Sequence, residues 1–284
     1  MTDVEPPLVD KAAAFKRVRR KPQFRRSYFS FPYIAISIIF VVVPLCILLG
    51  FAFIGPDDTF SFDNFAYFFS HGENILTMLY SMGVAALTTI ICLAVAYPLA
   101  MCLASSRINK SALLVLMFIL PMWVNSLLRT YALQNLLIDL FGMQRGFGAA
   151  LIGLVYDFFP FMLLPLYTSL ANMDGSLTEA AHDLGAGAFS TFFRVRLPLS
   201  LPGIMSGVTM VFMPTMSTFS VTEIMGGADT YMVGSMINEL INGGDWGGSA
   251  AFSFILLILV AGTMAISNFV TKGKVETEGL GGVL

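Results

Sequence analysis

Six long apolar stretches constrain this chain more than any other feature, at roughly 31–54, 75–104, 111–133, 149–171, 202–223 and 250–271. About 20 apolar residues in a helix span the hydrocarbon core of a bilayer. A lipid-exposed backbone must satisfy its own hydrogen bonds, so such stretches have to be helical. The composition agrees: 56% of residues are hydrophobic and 12% are charged, against about 25% charged in soluble domains. The expected fold is an all-α polytopic membrane protein with six transmembrane helices. A polar segment 1–30 precedes the 31–271 domain and a tail 272–284 follows it.

Several stretches hold internal prolines, among them Pro98, Pro121, Pro160, Pro165 and Pro214. Neighbouring helices can satisfy the carbonyls that these free, so a kinked, packed bundle is expected. The three cysteines, Cys46, Cys92 and Cys102, all lie in apolar runs and read as small buried residues. The first stretch is too long for a cleaved signal peptide, and no small-x-small site follows it.

Basic residues set the orientation. Eight lie between Lys11 and Arg26, and pairs follow at Arg107 and Lys110, Arg194 and Arg196, and Lys272 and Lys274. Segments 55–74 and 224–249 hold none and carry acidic residues instead. Among all 16 Lys and Arg, only Arg129 and Arg145 depart from the alternation. Both termini and the 172–201 loop are therefore expected in the cytoplasm. The basic leader reads as retention charge assisted by anionic lipid headgroups. The aromatic run Phe60 to Phe69 reads as a short interfacial helix capped by Asp63 or Asn64.

The 172–201 loop has its own grammar. Ser176 followed by Glu179 reads as a capping box opening a short helix. Gly185 suits the left-handed residue that ends one. Gly187 to Val195 can form a second short helix, and Pro198 and Pro202 precede the next apolar run. The result is a helix–turn–helix knob over 176–198. The spacing is Glu179-Ala180-Ala181, three residues, Gly185, nine residues, then Val195-x-Leu197-Pro198. It closely resembles the EAA loop of bacterial ABC-importer permeases, with Val195 for the usual Ile. The resemblance implies that Glu179, Ala180, Ala181, Asp183, Gly185, Leu197 and Pro198 dock onto a separate ATPase and carry its motion into the membrane.

No phosphate-binding G-x-x-x-x-G-K-[ST] loop occurs, and no carboxylate pair, Ser-His-Asp or Cys-His set has catalytic logic. His71 and His182 read as surface residues. No catalytic residue, metal or bound cofactor is therefore expected on this chain, and no nucleic-acid partner. ATP and magnesium are expected on the partner ATPase.

Further matches lie outside the loop. They include Leu120-Pro121-Met122-Trp123-Val124-Asn125-Ser126-Leu127-Leu128-Arg129-Thr130-Tyr131, Gly153-Leu154-Val155-Tyr156, Asp183-Leu184-Gly185-Ala186, Glu223-Ile224-Met225-Gly226-Gly227 and Asp245-Trp246. Together they resemble the spermidine/putrescine importer permeases over about residues 30–270. Met122, Val195, Asp157 and a short segment after Tyr131 depart from that pattern. The resemblance implies a bacterial inner-membrane protein with two ATPase copies, a second related permease and an extracytoplasmic substrate-binding protein. A permease for another small solute, or a nucleotide-independent channel-like protein, are the alternatives.

Asn125, Arg129, Asp157 and Glu223 all fall in the outer half of the membrane on this topology. Ionisable groups there are costly and face a cavity or each other. Glu223, with Asp157, would attract an amine cation, while Trp123, Asn125, Phe219 and Thr222 offer aromatic and polar lining. Arg129 would repel such a cation and is expected to pin helices by pairing with Asp157 or Glu223.

Overall fold

A computed structural model describes residues 36–55, 59–104, 112–227 and 230–280, with side chains described no further than residue 265. The basic leader and the 105–111 loop, and the expectations attached to them, lie outside these residues. The chain divides into two units at Ile47 and Leu48. Helix α1, Ile38–Ala52, begins in the first with one π turn over Ile38–Val42. Everything below belongs to the second.

After Ala52 the chain turns through an antiparallel bridge between Ile54 and Phe60 and enters α2, Asp63–Ser70. Neither Asp63 nor Asn64 caps this helix; Phe62 takes the cap position without a side-chain bond. The Asn64 amide instead donates to the carbonyls of Ala52 and Ile54, at 3.2 and 2.8 Å. It thereby ties the short helix to the end of α1.

Three helices form the core: α3, Gly72–Ala104; α6, Phe147–Ala171; and α9, Leu201–Ser217. Inside lipid, helices associate by close packing and hydrogen bonding rather than by escape from water. Gly203 and Gly207, four residues apart, therefore form one smooth strip on α9. A Cβ at Gly203 would stand 2.5 Å from the Ser169 Cβ and 2.9 Å from the Pro165 carbonyl. One at Gly207 would stand 2.6 Å from the Met162 sulfur. Backbones can approach this closely only without side chains, and Met162, Leu163 and Leu166 are completely buried beside the strip.

Two of the apolar stretches, the third and the fifth, are not straight spans. The third breaks after α4, Ala112–Ile119, and a 3-10 turn at Leu120–Trp123. It resumes as α5, Ser126–Phe141, with a bend of 103°. Asn125 causes the restart: its backbone is extended, and its side-chain oxygen accepts from Leu127 and Leu128 N–H at 2.9 and 3.4 Å. Residues 134–141, expected in a loop, are thus helical. The fifth stretch ends its α-helix at Ser217 and continues as a π turn over Thr222–Gly226. Among the described residues, three helices are long and apolar enough to cross a membrane, or up to five if each bent pair counts as one span.

Helix α10, Val233–Asn242, fills a segment read from sequence as loop. Apolar Val233, Met236, Ile237, Leu240 and Ile241 recur at helical spacing, with Ser235, Asn238, Glu239 and Asn242 between them. Helix α11, Trp246–Leu280, starts before residue 250 because Asp245 accepts from Gly248 N–H at 2.8 Å. It runs on through residues expected to be tail.

Candidate functional site

The two ends of the bundle carry different chemistry. At one end sits the knob, built from α7, Gly175–Asp183, and α8, Ala188–Leu199. The cap of α7 is Asp174, not Ser176: its carboxylate accepts from Ser176 N–H at 2.9 Å, so the helix starts one residue earlier than the capping box implied. That N–H holds the exposed Asp174 carboxyl below its usual range. At the other end of α7, Gly185 N–H donates to His182 C=O and Ala186 N–H to Ala181 C=O, at 2.9 and 3.0 Å. This paired closure needs a left-handed residue, and Gly185 has φ +80°. His182 Nδ1 donates to the Ala186 carbonyl at 3.0 Å and tightens the same turn.

Glu179, Ala180 and Asp183 are exposed on α7, while Ala181, Leu197 and Pro198 are half-buried at the base of the knob. The knob also shows large apolar groups to its surroundings. Leu184 is 89% exposed and Phe189 78%, with the Phe189 and Phe193 rings 4.6 Å apart. Sequence reasoning passed over these three, although Leu184 stands between Asp183 and the Gly185-Ala186-Gly187 turn, off any core face. Contiguous exposed apolar surface marks a partner site. Beneath the knob a cavity of about 420 Å³ is lined by Met101, Asp174, Thr178, Glu179 and Arg196.

The other end holds a cavity of about 300 Å³ between the π turn and α10. Glu223 and Glu239 both line it, with Thr222, Tyr231, Ser235 and Asn238. The Asn238 amide donates to Glu223 Oε1 at 3.1 Å, and the Tyr231 hydroxyl donates to the Glu239 carboxylate. Partial burial first, and then the Glu239 carboxylate, push the Tyr231 phenol well above its usual range, so it remains a donor. Thr222 is buried and bonds the Phe219 carbonyl at 2.9 Å and the Ser235 hydroxyl at 3.3 Å. Among the described residues, no Lys or Arg lines this cavity.

The sequence-selected polar residues do not all converge here. Glu223 and Thr222 line the cavity, whereas Trp123, at 81% exposure, and the partly exposed Phe219 do not. Asn125 is spent on capping α5. Asp157 pairs with Arg129, so the arginine's partner is Asp157 rather than Glu223. Arg129 Nη1 also donates to the Pro121 carbonyl at 2.9 Å, and its guanidinium lies 5.6 Å from the Tyr156 ring centroid. Glu239, Asn238 and Tyr231 were missed as site residues. The amphipathic repeat of 233–242 was the available signal, since it puts Ser235, Asn238, Glu239 and Asn242 on one face.

Apolar helices that cross the bilayer, two of them bent, with a structured knob at one end and a polar cavity at the other, describe a multi-pass permease. Residues 96–273 match the family described as binding-protein-dependent transport system inner membrane component, and the chain belongs to that family. It is the permease subunit of an ABC importer, a transport subunit rather than an enzyme. Its relatives include the spermidine/putrescine transport system permease protein PotB of Escherichia coli strain K12. That protein is 35% identical over 269 residues, 85% of this chain and 97% of the relative. PotB of Haemophilus influenzae is 34% identical over 267 residues, 85% of this chain and 93% of the relative. The fold is shared with a bacterial alginate ABC transporter at 16% identity and TM-score 0.69, over 87% of this chain and 93% of that one. A methionine ABC transporter matches at TM-score 0.56, over 70% of this chain and 95% of that one.

Proposed function

We propose that this chain is one half of the translocation pathway of a polyamine importer, taking spermidine or putrescine from an extracytoplasmic binding protein. The observation that carries the substrate reading is the cavity lined by Glu223 and Glu239 and, among the described residues, by no basic one. A polyamine is a chain of ammonium groups separated by methylenes. Two carboxylates answer two such groups, and the Asn238 amide and Tyr231 hydroxyl hold the carboxylates in place. The 34–35% identity to spermidine/putrescine permeases supports the same class. Asp157 and Arg129 neutralise one another, so in this reading they pin α5 to α6 and leave the cationic route to Glu223 and Glu239.

The rest of the machine follows from the family. The chain has six spans with both termini and the knob in the cytoplasm. A second, related permease completes the pathway. Two ATPase subunits, binding ATP and magnesium, dock on the paired knobs and provide the drive. The exposed Leu184 and Phe189 support this assignment, because apolar groups beyond the spanning helices call for a protein partner. Glu179 and Gly185 then hold the knob in the shape its dock requires.

The test is uptake by the assembled complex in vesicles with loaded binding protein. Glu223→Gln and Glu239→Gln keep shape and hydrogen bonding but remove charge. Each should raise the apparent KM for spermidine about ten-fold, the equivalent of one charge-assisted contact, with ATPase activity retained. Unchanged kinetics in both single variants and in the double variant would overturn the cationic route.

A further inference from the structure

Knob and cavity lie at opposite ends of the bundle, and one buried hydrogen bond joins the knob's base to the helix that leads to the cavity. Tyr97 on α3 and Ser200 at the joint of α8 and α9 meet hydroxyl to hydroxyl at 2.8 Å, across 103 residues of sequence. Tyr97 is 7% exposed and Ser200 is fully buried. The Ser200 hydroxyl donates its one proton to the Leu197 carbonyl at 3.0 Å. The Tyr97 hydroxyl is therefore the donor in the pair, and Ser200 accepts. The Tyr97 ring also meets the Phe192 ring edge-on, at 5.4 Å and 83°.

Both partners sit where their helices can flex. Ser200 stands at the 65° bend between α8 and α9. Tyr97 precedes Pro98, which lies inside α3 and deprives it of one backbone bond. Ser81 and Tyr97 lie on one continuous stretch of α3, N-terminal to Pro98, and a helix transmits displacement along its axis as a unit. In the N-terminal third of α3, the fully buried Ser81 hydroxyl accepts from Val233 N–H at 2.9 Å. Val233 begins α10, which carries Ser235, Asn238 and Glu239 into the cavity.

Resting on the coupling role proposed above, we infer that Tyr97 and Ser200 are positioning residues that pass displacement of the knob through α3 to α10, so that ATP use and access to the cavity stay linked. No separate strut is needed between the two ends. The phenyl ring alone would keep the Phe192 contact and the core volume, whereas the hydroxyl fixes the relative position of α3 and the bend.

The experiment compares wild type with Tyr97→Phe, Ser200→Ala and Ser200→Thr in the full importer complex, measuring molecules of spermidine imported per ATP hydrolysed. Tyr97→Phe and Ser200→Ala should hydrolyse ATP at the wild-type rate while the transport ratio falls about five-fold, the factor carried by one lost hydrogen bond. Ser200→Thr keeps the hydroxyl and should restore the ratio. A purely structural role would lower both rates together and leave the ratio alone. Hydrogen exchange in the same complexes, with and without ATP, gives a readout independent of substrate. ATP should alter protection in both the knob and α10 of wild type, but only in the knob of Tyr97→Phe. A wild-type complex that shows this exchange pattern yet imports no spermidine would refute the polyamine reading and leave the relay standing. An unchanged transport ratio, or an α10 response in Tyr97→Phe equal to wild type, overturns the relay.

Discussion

Replacing Asp157 by Asn removes the counter-charge of Arg129 and leaves its guanidinium inside the bundle. Both side chains are about one-tenth exposed, at 9% and 10%. Removing one partner of a buried ion pair costs about 3–5 kcal/mol, because the survivor keeps its charge without compensation. Part of that loss is offset here. The Pro121 carbonyl still accepts from Nη1, and the Tyr156 ring face remains at 5.6 Å, a contact of about 0.5–2 kcal/mol. Arg129 Nε already lacks a partner and gains none. The net cost should be about 2–4 kcal/mol, which lowers the midpoint of thermal inactivation by on the order of 10 °C. The assay is thermal inactivation of the purified complex in detergent, with uptake measured in parallel. The double variant Arg129→Leu with Asp157→Leu removes both charges and should recover most of the stability, since an apolar pair suits the site. It should also keep spermidine uptake. If Asp157→Asn is as stable as wild type, the buried-charge reasoning fails. If the double variant is stable but transports nothing, Asp157 belongs to the route after all.

Three further outcomes follow from the packing and the knob. Gly203→Val drives a side chain into Ser169 and the Pro165 carbonyl, so overpacking of about 1–3 kcal/mol or more should reduce the yield of folded protein from membranes. Gly185→Val places a β-branched residue at φ +80°, at a strain of about 1–2 kcal/mol; uptake should fall while membrane insertion is normal, and Gly185→Asn should be tolerated. Phe189→Asp with Leu184→Asp alters only exposed positions, and co-purification of the ATPase should be lost without loss of the permease itself.

The sequence and the fold diverge where chain breaks depend on tertiary contacts. The core helices α3, α6 and α9 were legible because each is a long apolar run, and hydropathy alone sets their existence. The break at Asn125 was not, although Pro121 and Asn125-Ser126 carried the signal of a helix end and a new cap. Apolar length outweighed them when residues 111–133 were read as one span. The stop at Ser217 is harder to foresee. A Cβ on Gly234 would lie 2.4 Å from the Ser217 carbonyl, so this end is shaped by α10 packing against it, a contact no local window contains. The hydroxyls of Thr215 and Ser217 bond back to the Val211 and Met213 carbonyls on their own helix, at 2.7 and 3.4 Å, and so line no route. The Gly185 turn was legible because a left-handed residue after a short helix is a local demand.

The polar groups within the bundle divide by whether their charge is already answered. Arg129 and Asp157 answer each other, and Asn125 is satisfied by backbone donors, so these groups fix helices. Glu223 and Glu239 have only neutral donors, an amide and a phenol, and no cation among the described residues. Near a membrane, carboxylates held ready without a counter-charge are costly. Such a cost is sustained where function uses it, and a cationic substrate would supply the missing charge during passage. Glu223 also lies in a π turn, a form concentrated at functional sites. The same turn is what brings Glu223 round to face α10, because the chain cannot continue the straight course of α9. The broken fifth span is therefore the device that assembles the cavity, and a variant that straightens it should lose the site without losing the core.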